Sequence, residues 1–363
     1  MPYPPVAACR MREPPSTGRP SRMPATASTL TDRLAAALAA RAPLLGRLQA
    51  EGTDAYRLFH GSVEGEPGLT VDRYGDLVLV QSFHRALDAA SEQAVTTFYA
   101  AALPGLDLIY NDRSQPNSRI ANALAPQAQE AAVRARVAHE MGVGYLIPAR
   151  HAGQDPWLFL DLRAGRRRLM QEVPGKSLLN LFAYTCGAGI AAARAGAQFV
   201  VNVDFAETSL DVGKENARLN ELPIRPRFVR SDAFAAMRQL AGLGQPTMVR
   251  GKRMPAFPKL EPRQFDVVLL DPPRYAKSPF GVVDLVNDYA ALFKPALLCT
   301  APGGTLICCN NVAAVARDAW LDQLERSARK AGRPIIAMEW ILPEEDFPSS
   351  DGQPPLKMAL LRV

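Results

Sequence analysis

The sequence predicts an α/β protein in which a seven-stranded, mostly parallel sheet with helices on both faces follows a smaller α+β domain. Three observations predict this. After about Pro148, strand-like and helix-like segments alternate. The strand-like segments are continuous apolar runs, as strands covered on both faces must be. Before Pro148 the apolar runs are short and broken by turn signals such as Gly65-Glu66-Pro67-Gly68 and Tyr74-Gly75-Asp76.

Residues 1–30 are rich in Pro, Ser, Thr and Arg and lack apolar periodicity, so they read as a disordered tail. No apolar stretch follows the arginines, which excludes a secretory signal. Met23 is an alternative start. From Thr31 to about Leu48, "TDRLAAALAARAPLLGRL" fits an amphipathic helix with a Thr or Asp cap. The runs "AYRLFHG", "GLTVDRYGDLVLVQSF" and "DLIYNDRS" read as strands, with a helix near Asp88–Ala102. Residues 31–150 therefore make up the first domain and 151–363 the second. In the second, strands are expected at Ser177–Phe182, Phe199–Asp204, Arg227–Arg230, Phe265–Asp271, Gly304–Asn310, Ile335–Leu342 and Leu356–Val363. Helices are expected at Gly189–Ala195, Glu207–Leu219, Ala233–Leu240, Val283–Leu298 and Asp318–Ala331. The last two strands have no helix between them and should form a hairpin at the sheet edge.

The 363 residues are 48% hydrophobic and 21% charged, an ordinary globular composition. No apolar run reaches the roughly 18 residues of a membrane helix. The five cysteines (Cys9, Cys186, Cys299, Cys308, Cys309) form no CxxC and have no nearby His, which favours a reducing, cytoplasmic setting over a disulfide or zinc framework. The net charge of +6 is concentrated: residues 1–30 contribute +3 and the insertion 243–264 contributes +4. Such clustering suits a polyanion-binding surface.

Ligands of a doubly wound sheet sit beyond the carboxyl ends of its strands. The first strand ends in "NLFAYTCGAG", where Gly187 and Gly189 let a ligand approach a helix N-terminus. The second ends in Asp204, placed to accept both hydroxyls of a ribose, with Phe205 next to it. After the third, "SDAF" offers Asp232 to an adenine amino group and the Ala233 amide to the ring. Each acid alone could be a helix N-cap. Three such strand ends together point to an adenosine ligand. The third glycine of a dinucleotide fingerprint is missing from "CGAGIAAAR", so S-adenosylmethionine, which has no pyrophosphate, fits better than NAD.

The fourth strand, "FDVVLLDPPR", delivers Asp271 to a corner locked by Pro272 and Pro273. Two prolines fix φ and remove two amide donors, which pre-organises the corner against a planar group such as a nucleobase.

With these motifs the sequence resembles the class I S-adenosylmethionine-dependent methyltransferases that modify bacterial large-subunit ribosomal RNA. The family's loop F-S-Y-T-G is matched by Phe182, Ala183, Tyr184, Thr185 and Cys186, and the likeness extends through "NVDFAETSLDVGKENARLNEL", Asp232 and "DPPR". It also covers "AYRLFHGSVEGEPGLTVDRYGDLVLVQ" and "WLFLDLRAGRRRLMQ", and so most of residues 50–363. The resemblance implies a Rossmann-like catalytic domain, S-adenosylmethionine as cofactor, and ribosomal RNA or a pre-ribosomal particle as partner. It also implies that Asp161 and Arg163 line the cofactor site, although an internal ion pair would explain them equally well. Asp271, Pro272, Pro273, Arg274, Tyr275, Asn310 and Asn311 would form the base pocket, with Tyr275 stacking on the target base or merely packing. Arg166, Arg167 and Arg168, together with Arg250, Lys252 and Arg253 of the insertion, would contact phosphates.

Three departures matter. There is no room for the N-terminal PUA domain of the cytosine-methylating relatives. Cys186 replaces the loop's first glycine, and its Cβ would crowd a positive-φ turn. The nucleophilic cysteine of cytosine-carbon methylation aligns with Asn311, and "CCNN" instead resembles the S-N-N of the guanine-nitrogen branch. Methylation of a guanine nitrogen is therefore preferred. A methyltransferase of proteins or small molecules, or a binding module without turnover, is the alternative.

Overall fold

A computed structural model of the chain describes residues 28–115, 123–151, 155–244, 247–249, 252–253, 256–278 and 280–363. Residues 1–27 of the expected tail lie outside these. Residues 28–30, assigned from sequence to the tail, instead open the first helix. Helix α1 (Leu30–Ala50) is capped by Thr29, whose hydroxyl accepts from the Asp32 amide while the Asp32 carboxylate accepts from the Thr29 amide. The start falls here because Thr29, unlike Thr31, has an acid three positions on.

Strands β1 (Ala55–His60), β2 (Leu69–Tyr74) and β3 (Leu77–Ser82) form an antiparallel meander. Helix α2 (Ala89–Ala102), capped by Asp88, then crosses over so that β4 (Asp107–Asp112) pairs parallel to β3. Leu34, Leu44 and Leu48 of α1 and Val95 and Tyr99 of α2 bury one face of this four-stranded sheet. Helix α3 (Pro126–Val133) and the hairpin of β5 (Arg136–Glu140) and β6 (Val143–Ile147) lead out of it.

The second half runs α4 (Arg163–Glu172), β7 (Ser177–Leu181), α5 (Gly187–Arg194), β8 (Phe199–Asp204), α6 (Glu207–Leu219), β9 (Arg227–Arg230) and α7 (Ala233–Leu240). Two-residue strands β10 (Met248–Val249) and β11 (Lys252–Arg253) pair within the insertion, ahead of β12 (Phe265–Leu270). A hairpin of β13 (Tyr275–Ser278) and β14 (Gly281–Asp284) follows, then α8 (Tyr289–Cys299), β15 (Thr300–Asn310), α9 (Arg317–Lys330), β16 (Ala337–Ile341) and β17 (Lys357–Arg362). Seven strands lie in the order β16-β17-β15-β12-β7-β8-β9, and the five from β15 to β9 are parallel. β17 runs antiparallel between β15 and β16, so the expected final hairpin does form the edge. Strand order reverses between β7 and β12, the place where doubly wound sheets open a crevice.

The helix expected over Val283–Leu298 begins only at Tyr289, because Val283 belongs to the unexpected hairpin β13–β14. Helix α4 was missed as well: its arginine-rich sequence reads as solvated, yet Ala164, Gly165, Arg166 and Leu169 are buried. One shared core joins the two sheets, with Tyr74, Leu77 and Ile109 packed in the same cluster as Leu158, Ala183, Ile190 and Leu210.

Helix α5 crosses β8 closely. A Cβ at Gly189 would collide with the Asn202 amide, whose oxygen accepts from Asn180 at 2.9 Å. Gly189 therefore serves helix–strand packing rather than ligand approach. Gly189→Ala is expected to cost about 1–3 kcal/mol, by overpacking. A thermal midpoint equal to wild type would contradict the close approach.

Candidate functional site

A cavity of about 690 Å³ opens where the strand order reverses, a size typical of sites that enclose a small molecule. The chain ends of β7, β8, β9 and β12 all reach it.

The loop after β7 has an unusual backbone. Phe182, Tyr184 and Cys186 adopt φ of 57°, 48° and 63°, the left-handed region that side chains normally avoid. Each such residue costs on the order of 1–3 kcal/mol and persists only where its surroundings impose it. Here the Asp204 carboxylate holds the Tyr184 amide at 2.8 Å, and the Thr185 hydroxyl donates to the Trp157 carbonyl. The crowding expected at Cys186 is real, and the fold accommodates it on helix α6. The thiol is fully buried against Gly213, where any Cβ would lie 2.5 Å from Sγ. Cys186 thus supports the loop from behind and does not line the cavity.

Asp204 accepts from the Ala206 amide through its other oxygen, at 2.8 Å, and burial raises its pKa. Each carboxylate oxygen has taken one amide and can accept a further bond. Asp232 caps α7, with Oδ1 accepting from the Phe234 and Ala235 amides at 2.8 and 3.2 Å. Cap and ligand contact are compatible, because both cap bonds go to Oδ1 and Asp232 lines the cavity.

Asp271 stands at the Pro-Pro corner with its carboxyl pushed up to about 7. Burial is the main cause and the neighbouring Asp161 carboxylate adds to it; a hydrogen bond with the Cys309 thiol and the Arg166 charge act in the opposite direction. Asp161 also lines the cavity, and burial raises its pKa against the pull of Arg57 and Arg166. Cys309 is inert by the same physics: burial, then the Asp271 charge, push its thiol well above the usual range.

The structure brings most of the sequence-predicted residues together. The loop Phe182–Thr185 with Gly187, the acids Asp161, Asp204, Asp232 and Asp271, and the corner Pro272–Arg274 all line the cavity, as do Phe205, Ala233 and Asn311. Several others are corrected. Asn310 is fully buried and structural: its amide donates to the Leu285 carbonyl at 3.1 Å and its oxygen accepts from the Val312 amide. Tyr275 lies outside the cavity, 59% exposed at the start of β13. Arg163 makes the internal ion pair instead of lining the site, bonding Glu344 at 2.8 Å and Asp346 at 2.6 Å.

The arginine run is also not a free phosphate-binding surface. Arg166 is buried in a bidentate pair with Glu140, both bonds 2.6 Å. Arg167 bridges Glu51 and Glu344, and Arg168 pairs with Glu172 and Glu339. Of the insertion, Arg250 lies outside the described residues, as does the side chain of Lys252; Arg253 is exposed.

Sequence reasoning missed Asn180, Phe159, Phe234 and Lys277, which also line the cavity. Phe159 stood two residues before Asp161 in "WLFLDL", and its ring centroid lies 5.5 Å from that of Tyr184. Lys277 was invisible without the hairpin. Among the described residues no group of His, Cys, Asp and Glu could hold a metal ion, and no helix is long and apolar enough to cross a membrane.

Comparisons with known proteins agree with this geometry. A family model described as S-adenosylmethionine-dependent methyltransferase matches residues 56–362. A relative from Aeromonas salmonicida named "Ribosomal RNA large subunit methyltransferase I" is 30% identical over 330 residues, covering 89% of this chain and 76% of the relative. A protein of the same name from Escherichia coli K12 is 27% identical over 308 residues, 83% and 72% of the two chains. Among solved structures, a Streptococcus mutans protein described as a SAM-dependent methyltransferase superposes with a TM-score of 0.71 at 21% identity, over 94% of this chain and 83% of that one.

Proposed function

The chain belongs to the S-adenosylmethionine-dependent methyltransferase family, and from that premise we propose that it methylates a base of large-subunit ribosomal RNA in the cytoplasm, on a guanine nitrogen rather than cytosine carbon-5. The observation that carries the reading is the convergence of Asp204, Asp232, Asp271 and the left-handed loop on one cavity. The cofactor, when bound, supplies an electrophilic methyl group on a sulfonium. The residues present fit it. Asp204 would take the ribose hydroxyls, and Asp232 Oδ2 with the Ala233 amide would take the adenine. The loop Phe182–Gly187 would enclose the methionine portion, with Asp161 beside it.

At the target side, Asp271, the Pro272 carbonyl, Arg274 and the Asn311 amide would grip the edge of a base. Ionised Asp271 would take the proton of a guanine N–H as that nitrogen bonds to the methyl carbon, while the other groups hold the nitrogen in line. Attack through cytosine carbon needs a thiolate at the base. Each cysteine among the described residues is buried, and burial with the Asp271 charge raises the Cys309 thiol well above its usual range. The names of the Aeromonas and Escherichia relatives support ribosomal RNA as substrate.

Mass mapping of ribosomal nucleosides from cells with and without the gene tests the base. Loss of a methylguanosine is expected, whereas loss of 5-methylcytidine would overturn the nitrogen preference. Transfer of labelled methyl groups to protein extract and not to ribosomal RNA would overturn the substrate.

A further inference from the structure

The hairpin after the Asp271 corner has two unlike faces. Residues directly opposite across β13 and β14 share a face, so Tyr275 and Lys277 lie with Asp284 and Val282. Ala276, Ser278, Gly281 and Val283 form the other face and line the large cavity. Tyr275 and Val282 are exposed, and the Lys277 ammonium lies 5.6 Å from the Tyr275 ring centroid. An exposed tyrosine thus stands on the outside of the cavity's own wall, with Lys277 and Arg274, which also line the cavity, exposed beside it at the rim.

This outer face continues into a second cavity of about 370 Å³, bordered by Val282 together with Arg238 and Lys294. The acids in the neighbourhood are already engaged. Asp284 accepts from the Val286 and Asn287 amides and from the Asn287 side chain. Asp288 caps α8 through the Ala291 amide. At the hairpin tip Phe280 packs on Phe257 of the basic insertion, with centroids 5.6 Å apart, so the insertion adjoins the same surface.

We propose that the outer face of the hairpin seats a nucleotide neighbouring the target in single-stranded RNA: Tyr275 stacks on its base, while Lys277, Arg238 and Lys294 receive the adjoining phosphates. This inference rests on the RNA-methylating reading and deepens it. A base that enters the cavity leaves its neighbours outside, on the far side of the wall it has passed. A tyrosine ring with cations around it is the sequence-tolerant platform that unstacked bases favour. The structure thereby moves the stacking role expected of Tyr275 from the target base to a flanking one.

The test is binding of the full chain to a single-stranded RNA oligonucleotide carrying one 2-aminopurine, whose fluorescence falls on stacking. Tyr275→Ala is expected to weaken binding about tenfold and to remove the quenching, while Tyr275→Phe keeps both. Lys294→Ala, outside the large cavity, should lower the slope of log affinity against log salt by about one. Calorimetric affinity for S-adenosylmethionine should be equal in all variants, which shows that each is folded. If wild type binds the RNA and Tyr275→Ala binds it equally well with quenching intact, this proposal falls and the function stands. If wild type binds no RNA, both fall.

Discussion

Replacing Arg166 with Met while Glu140 stays is expected to cost about 3–5 kcal/mol of folding stability. The Glu140 carboxylate is fully buried, and both of its oxygens receive Arg166 nitrogens at 2.6 Å. Removing the guanidinium leaves an uncompensated buried charge, and that penalty is a large fraction of the whole stability of many domains. Arg166→Lys should recover little, because an ammonium cannot reproduce the two-pronged geometry. Replacing both partners, Arg166→Met with Glu140→Leu, should restore most of the loss, since well-packed apolar pairs often equal buried ion pairs. Denaturant midpoints measure all three. A single Met variant as stable as wild type would contradict the buried Arg166–Glu140 pair.

The second large effect concerns Asp271. Asp271→Asn is expected to lower kcat/KM for RNA methylation about 100-fold, as loss of one pre-organised polar contact at a reacting centre does, with cofactor affinity nearly preserved. The pH profile sharpens the test. With its pKa near 7, the wild-type carboxyl is neutral in mildly acidic solution and ionised in mildly alkaline solution. Guanine presents N–H donors, which call for the ionised, accepting form. Activity should therefore climb through about pH 7 and level off above it, and the Asn variant should lose that limb. The midpoint belongs to Asp271 and Asp161 jointly, because their charges interact. For stability the sign is opposite. The folded state holds this proton more tightly than the unfolded chain, so the group's contribution declines as pH rises from the ordinary carboxylate range to about 7. An Asn variant that keeps the rise through pH 7 unchanged would remove Asp271 from the reaction.

Where the sequence carried a strong period it was readable to the residue. Phe199–Asp204, Arg227–Arg230, Glu207–Leu219 and Ala233–Leu240 lie where apolar runs and caps placed them. The acids at the strand ends were legible for the same reason: strand ends of a parallel sheet converge whatever their neighbours do. Tyr275, Arg163 and Asn310 escaped because their roles depend on which way a side chain points, and that is set by tertiary pairing. Arg163 is turned inward by Glu344 and Asp346, some 180 residues away along the chain. The arginine run was misread because buried guanidiniums look like solvated ones until their distant carboxylates are placed. Hairpin β13–β14 was lost to a helix signal that starts too early, since "GVVD" fits either pattern.

Cys186 and Gly213 sit face to face, so neither position is free to vary by itself. A side chain at one demands bare backbone at the other, and the exchange has to be reciprocal. Relatives whose loop carries glycine at the first position have that room released, and helix α6 can bear a small side chain in place of Gly213 once Phe228 makes way. The two sites should therefore covary across the lineage as a single unit of substitution, although 26 residues of chain separate them.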